Sequence, residues 1–336
     1  MDIRDIAAKS GYGVGTVSRV INDQPNVSDR ARERILAVME ELGYEPNSNA
    51  RYLKMRSQTP VAAFVMGVNN RLFGDILERI QAALAAQEED LAVTYLADDA
   101  EEVRTAIRYQ QTRRPKGMLF LGGEPRYFRE SFGEIEVPSV LVTNVVDGLD
   151  FPNLSSVSID NVAASRDMVE HLWGLGHRRI GVIGGNPERE LISARRLAGV
   201  EEALLAHGVT LDRARDYEPS GYSESGGYEA ARTLLTRSPD LTAIFSLGDA
   251  VAFGAVRAIA DLGLSVPGDV SITGFDDTTF SQFSVPRITT VRQDADRLAE
   301  RAVRILLDGM RSGAAAVHEV VPYEIARRES VRAIEG

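Results

Sequence analysis

The chain is 336 residues long, too many for one ordinary core, and its 44% hydrophobic and 26% charged residues mark a globular protein. With no cysteine, disulfide frameworks, thiolate metal sites and cysteine nucleophiles are excluded. The net charge of −11 argues against nucleic acid only until it is divided: residues 1–58 hold nine Lys/Arg and eight Asp/Glu, +1, so the other −12 lies beyond them and turns the N-terminal part toward DNA.

The chain starts Met1-Asp2-Ile3-Arg4, with no apolar signal segment, and no later run reaches the ~18 apolar residues a membrane helix needs. A cytoplasmic protein without a membrane partner is expected. Ile3, Ile6 and Ala7 at helical spacing predict a short first helix ended by Ser10-Gly11. A second runs from about Val14 to Asn22, with Val17, Val20 and Ile21 inward and Gly15, Ser18, Arg19 and Asn22 outward. Ser28 is placed to cap a third, with Ala31, Ile35, Val38, Met39 and Leu42 inward and Gly43 as its stop. After Pro46, residues Asn47 to Lys54 suffice for about two helical turns, marginal without a partner.

From Val61 the pattern changes to buried strands alternating with amphipathic helices. Strands are expected over Val61–Val68, Leu91–Leu96, Gly117–Leu121, Ser139–Thr143, Arg179–Gly184, Thr242–Leu247, Val270–Gly274 and, last, about Val317–Ala326. Helices are expected over Phe73–Gln87, Glu101–Gln111, Asn161–Leu175 and Ala250–Leu262. Such alternation predicts βαβ units and parallel sheets, and the number of strands calls for two doubly wound halves. Ligands of these folds bind beyond the carboxyl ends of strands, here near Val68-Asn69-Asn70, Gly184–Arg196, Leu247–Asp249 and Phe275–Thr278.

The strongest local signal runs from Asp5 to Asn22: helix, glycine turn, then a helix with one short polar face. A helix entering the major groove needs small residues for close approach and one or two long polar side chains for base edges. Arg19 is suited to a bidentate bond with guanine, and Thr16, Ser18 and Asn22 to phosphate oxygens. An ordinary three-helix cap with a solvated polar face is the plain alternative. Gly11, Gly13 and Gly15 imitate a dinucleotide loop, but a helix precedes them and Thr16 stands where the last glycine belongs. The four histidines show no ligand spacing, Trp173 suits packing, and Gly184-Gly185 reads as a strand-to-loop turn.

Longer motifs carry a resemblance. Thr16-Val17-Ser18-Arg19-Val20-Ile21-Asn22, Val27-Ser28, Gly43-Tyr44-Glu45-Pro46-Asn47 and Ala50-Arg51-Tyr52-Leu53 open the chain. Asp160-Asn161, Leu175-Gly176-His177-Arg178-Arg179-Ile180, Arg196-Leu197-Ala198-Gly199, Gly274-Phe275-Asp276-Asp277 and Thr289-Thr290-Val291 continue it. In this order they resemble the lac-repressor family over essentially the whole chain.

The resemblance implies an all-α helix-turn-helix headpiece (1–45), a hinge helix and linker (46–57), and an α/β effector core like periplasmic binding proteins. The core would comprise an N-subdomain (58–175 and 291–322) and a C-subdomain (176–290 and 323–336). It implies a homodimeric repressor, of a carbohydrate-utilisation operon, on near-palindromic operator DNA, with no catalysis, cofactor or metal. A sugar or sugar derivative is the expected effector and a nucleobase-type corepressor the alternative. Val14, Gly15 and Arg19 would face bases, with Tyr12, Thr16, Ser18, Asn22, Ser28 and Asn47 on the DNA side and Leu53, beside Ala50, as a minor-groove wedge. Gly13 stands where the family usually has a serine. For the effector, Arg196 and Asp276 would grip hydroxyls, Tyr222 would stack, and Asp249, Asn69, Phe73 and Asp98 would complete the site, Gly248 replacing a usual asparagine. A transport binding protein would need a secretion signal, and a nicotinamide oxidoreductase a glycine-rich loop after Val61–Val68. The residues after Ala326 hold no heptad, which favours a dimer over a tetramer.

Overall fold

The computed structural model describes residues 3–21, 27–42, 59–67, 70–97, 100–146 and 148–334, with side chains from Asp5 onward. It divides into two units, Met1–Gln58 and Thr59–Gly336. The first unit holds α1 (Ile3–Ser10), α2 (Val14–Ile21) and α3 (Asp29–Glu41). Gly11, at φ +78°, turns the chain after α1 and donates its N–H to the Ala7 carbonyl at 3.1 Å. The helical spacing brings Ile6, Val17, Val20, Ile35 and Val38 into one buried cluster, and Lys9 ties α1 to Glu41 of α3 at 2.8 Å. Ser28 occupies the N-cap position of α3, but its side chain makes no capping bond; its carbonyl takes the first helical N–H groups instead. The stop at Gly43 and the hinge helix, with Asn47, Ala50 and Leu53, lie outside the described residues, as do Asn22, Asn69 and Asp98.

In the second unit one sheet joins β1 (Val61–Met66), β2 (Leu91–Leu96), β3 (Met118–Leu121), β4 (Ser139–Val142), β5 (Leu154–Ser158) and β11 (His318–Val320), in the order β11-β5-β4-β3-β1-β2. The other joins β6 (Ile180–Ile183), β7 (Tyr217–Glu218), β8 (Ala243–Ser246), β9 (Ser271–Asp276), β10 (Thr289–Gln293) and β12 (Tyr323–Ala326), in the order β12-β10-β9-β8-β6-β7. All pairings are parallel except β10 with β12. Every residue of β1, β3, β4, β6 and β8 is buried, as expected of strands covered on both faces. Helices α4 (Arg71–Ala85), α5 (Glu102–Arg113) and α6 (Pro125–Ser131) follow the first three strands. The second sheet is served by α7 (Asn161–Gly174), α8 (Leu191–Ala206), the single turn α9 (Arg213–Asp216), α10 (Glu224–Arg237) and α11 (Asp249–Asp261). Finally α12 (Ala295–Ser312) returns to pack on α4 and on β3, β4 and β5, with Arg79 bonded to Asp296 at 2.5 Å.

The crossings between halves correct the sequence reading. The first lies at residues 159–161, not near 175, because α7 packs on α8, β10 and β12 and so belongs to the second half. The second follows Gln293, since β10 pairs with β9. The expected last strand is two: β11 ends one sheet and β12 the other, so the chain passes between the halves from β11 to β12. Strands β5, β7 and β10 were not foreseen.

Candidate functional site

On the headpiece, α2 closes its first turn on the Gly13 carbonyl, which accepts from Thr16 N at 2.8 Å and Val17 N at 3.1 Å. Burying Val17 and Val20 turns the opposite face outward, so Val14, Gly15 and Arg19 are exposed, Val14 by 44%, and Thr16 and Ser18 are half-buried. Ser28 is exposed at the start of α3. Tyr12 is half-buried against the headpiece core, so its ring has a packing role whatever its hydroxyl meets.

In the larger unit both strand orders reverse, between β1 and β3 and between β6 and β8, and in folds of this kind ligands bind in the crevice beyond the carboxyl ends of the strands at such points. Arg196, on α8, is 5% exposed there. Its Nε donates to Asn161 Oδ1 at 3.0 Å, Nη1 to the Leu247 carbonyl at 2.5 Å and Nη2 to Asp276 Oδ1 at 3.3 Å. The guanidinium lies 3.6 Å from the Phe275 ring centre and 5.9 Å from that of Tyr222. Asp276, the last residue of β9, also accepts from Gln293 Nε2 at 2.8 Å. Burial raises its carboxyl above the ordinary value, against the opposing pull of Arg196.

Asp276 and Asp277 hold φ of +117° and +55°, a backbone that non-glycine residues rarely adopt. Neighbouring bonds hold it in place. The Asp277 side chain is buried and accepts from Arg292 at 2.6 Å, Arg328 at 2.5 Å and Ser281 at 2.9 Å. Burial raises its pKa, but these bonds outweigh burial and leave it below the ordinary value.

Asp249 stands behind this turn and is buried. One oxygen accepts from Thr290 Oγ1 at 2.6 Å, the other from Thr278 N at 2.7 Å and Oγ1 at 3.0 Å. Burial, with Asp276 nearby, pushes its pKa up to about 8. Its position braces the loop that carries Asp276. Gly248 makes room for Tyr222: a Cβ there would come within 2.9 Å of the ring. The Tyr222 hydroxyl bonds Ser193 Oγ at 2.9 Å, Ser193 donates to Glu190 Oε2 at 2.5 Å, and burial pushes the phenol up to about 12.

From the first half, Phe73 packs over Gly122, where a Cβ would lie 2.4 Å from its ring. Glu124, at the start of α6, accepts from Leu191 N, the first residue of α8, at 3.1 Å, so one half caps a helix of the other. Glu124 N in turn donates to Glu102 Oε1 at 2.7 Å. Glu102 is buried, its Oε2 finds no partner, and burial pushes its pKa up to about 7. Asn161, Ser193, Glu190, Glu124 and Gln293 were missed by sequence reasoning as site residues. Their common signal is a polar residue opening a helix, or closing a strand, at the carboxyl edge of a sheet.

His177 is buried between Thr242 Oγ1 and the Arg332 carbonyl, both at 3.0 Å, and burial lowers its pKa. His207 stacks on Trp173 with centroids 4.2 Å apart. Gly184 and Gly185 form the expected turn, their carbonyls accepting from the Tyr217 hydroxyl at 3.1 and 2.9 Å. Among the described residues no His, Asp or Glu group is arranged to hold a metal.

Comparison with known proteins gives two family matches: "bacterial regulatory proteins, lacI family" over residues 2–47 and "periplasmic binding protein-like domain" over residues 169–331. A transcriptional regulator MalR of Clostridium butyricum is 34% identical, covering 98% of this chain and 99% of its own. CelR of Thermobifida fusca is 32% identical over 90% of each. Among solved structures, the lac repressor dimer bound to operator and the anti-inducer ONPF matches with a TM-score of 0.81 at 25% identity, covering 99% of both chains. A CelR–cellobiose complex matches with 0.72 at 29% identity, covering 98% of this chain and 99% of that one.

Proposed function

Because the chain belongs to the lacI family of bacterial regulatory proteins, and is with it a DNA-binding transcriptional regulator and not an enzyme, we propose that it represses a carbohydrate-utilisation operon from the cytoplasm and is released by a sugar bound between its two halves. The observation that carries this reading is the Arg196–Asp276 pair, its guanidinium 5.9 Å from the Tyr222 ring centre, polar groups for hydroxyls beside a flat face for a pyranose or furanose. A relative named as a ribose operon repressor, and one solved as a complex with cellobiose, favour a sugar over a nucleobase. No described helix is long and apolar enough to cross a membrane.

On the DNA side, Arg19 would read a guanine, Val14 a thymine methyl, and Thr16 and Ser18 would fix the helix on phosphates, with Leu53 and Ala50 acting from the hinge. One short recognition helix is too little for a specific site, so two chains on a near-palindrome are required. Exposed apolar side chains on each half, Val93 and Tyr95 on β2 and Phe283 (78% exposed) and Val285 (92%) after β9, support a self-complementary face. The test is selection of bound duplexes from random DNA, followed by release with maltose, cellobiose, ribose or hypoxanthine. A palindrome released by a sugar is expected, and Arg19→Ala should bind it about 1–3 kcal/mol more weakly with random DNA unaffected. No enriched palindrome, or release by hypoxanthine alone, would overturn the reading.

A further inference from the structure

Besides the Glu124–Leu191 bond, a second contact joins the halves, at the rim of the crevice. Arg71 opens α4 at the carboxyl end of β1. Its guanidinium lies 3.9 Å from the ring centre of Phe280, and Nη2 lies 3.5 Å from Glu224 Oε1. Both partners belong to the other half. Phe280 sits in the 3₁₀ turn Thr279–Gln282 that follows Asp276, and Glu224 opens α10 just after Tyr222. One cation of the first half thus grips two elements that carry effector-facing residues of the second. Phe280 stays 52% exposed, so this ring is held at the surface by the cation and not by a core.

We propose that Arg71 is a positioning residue for the effector response: its grip on Phe280 and Glu224 holds the two halves closed over the crevice and sets how tightly the effector is retained. An exposed ion pair is weak alone, and a cation over a ring is modest alone. One guanidinium serves both at once, so losing it forfeits both, and the open-to-closed ratio should rise roughly tenfold. A ligand moves such an equilibrium only by its differential affinity for the two forms, so the clasp fixes the baseline from which the effector works.

The inference rests on the crevice being the effector site, but its test needs neither effector nor DNA. A failed sugar release and a failed clasp therefore give different results. The chain has no cysteine, so Arg108→Cys on α5 and Thr233→Cys on α10, both exposed, can carry spin labels on the two halves. Pulsed dipolar distances are read on the full chain diluted with unlabelled protein. Arg71→Ala and Phe280→Leu should each shift population to longer distances, the double variant no further than either single one. Phe280→Trp, which keeps a ring face, should restore the parent distribution, and melting temperatures should stay near the parent's because all three clasp residues lie at the surface. Distances unchanged in Arg71→Ala, single effects that simply add, or no rescue by Phe280→Trp would each overturn the assignment.

Discussion

Asp276 shows how a single side chain is held ready: its Oδ1 receives both Arg196 and Gln293 while its backbone stays at φ +117°. Asp276→Asn keeps an oxygen for those donors but removes the charge, so folding should change little while the effector found by release from DNA binds roughly tenfold more weakly, as read by calorimetry. Unchanged affinity would remove Asp276 from the site. Glu102 gives a pH signature. Its folded pKa of about 7 is raised from 4.5 by burial, so its contribution is fully present below pH 4.5 and is lost as pH rises through 7. Glu102→Gln should abolish that loss, making the variant gain up to about 2–3 kcal/mol on the parent between pH 5 and 8 in urea unfolding. Parallel pH profiles for the two proteins would show that Glu102 ionises freely in the fold. The grouping of Arg196, Asp276 and Tyr222 was legible because each stands in a recognisable motif or aromatic position, and the structure brings the three together. Gln293, Ser193 and Glu124 were not, since a lone polar residue acquires meaning only when the fold sets it beside Asp276, Tyr222 or Leu191.

Helices α10 and α11 meet through glycines: a Cβ at Gly254 would lie 1.9 Å from the Glu224 carbonyl, and one at Gly227 2.1 Å from that of Val251. Both obstacles are backbone, so nothing can swing aside. Gly254→Ala should cost about 1–3 kcal/mol or more in urea unfolding despite its better helix propensity, and a neutral result would mean that the pair slides apart easily. The same close packing explains what periodicity missed. Strands with continuous apolar runs, such as β1 and β3, were legible to within two residues. Strand β5, Leu-Ser-Ser-Val-Ser, carries no apolar run, yet all of it is buried because its serines bond carbonyls and partners within the fold. The first crossing was misplaced because α7 follows a strand of one sheet yet packs on α8, a long-range choice that no local pattern records.

For the whole molecule, two-fold pairing predicts a light-scattering mass near twice the 36.7 kDa chain at micromolar concentration. A stable monomer would undercut the half-site argument, and a stable fourfold mass would show an additional interface. Chain order has a further consequence. The first half is opened by β1 but closed only by α12 and β11, which come after all of the second half except β12 and the residues that follow it. While the chain is being made, the faces of α4, β4 and β5 that α12 will cover remain bare, and each sheet still lacks an edge strand. A nascent chain leaving the ribosome therefore cannot fold its halves one after the other, as successive domains usually do. Both are completed together by the same last stretch, so a molecule whose synthesis is cut short cannot present a finished effector core.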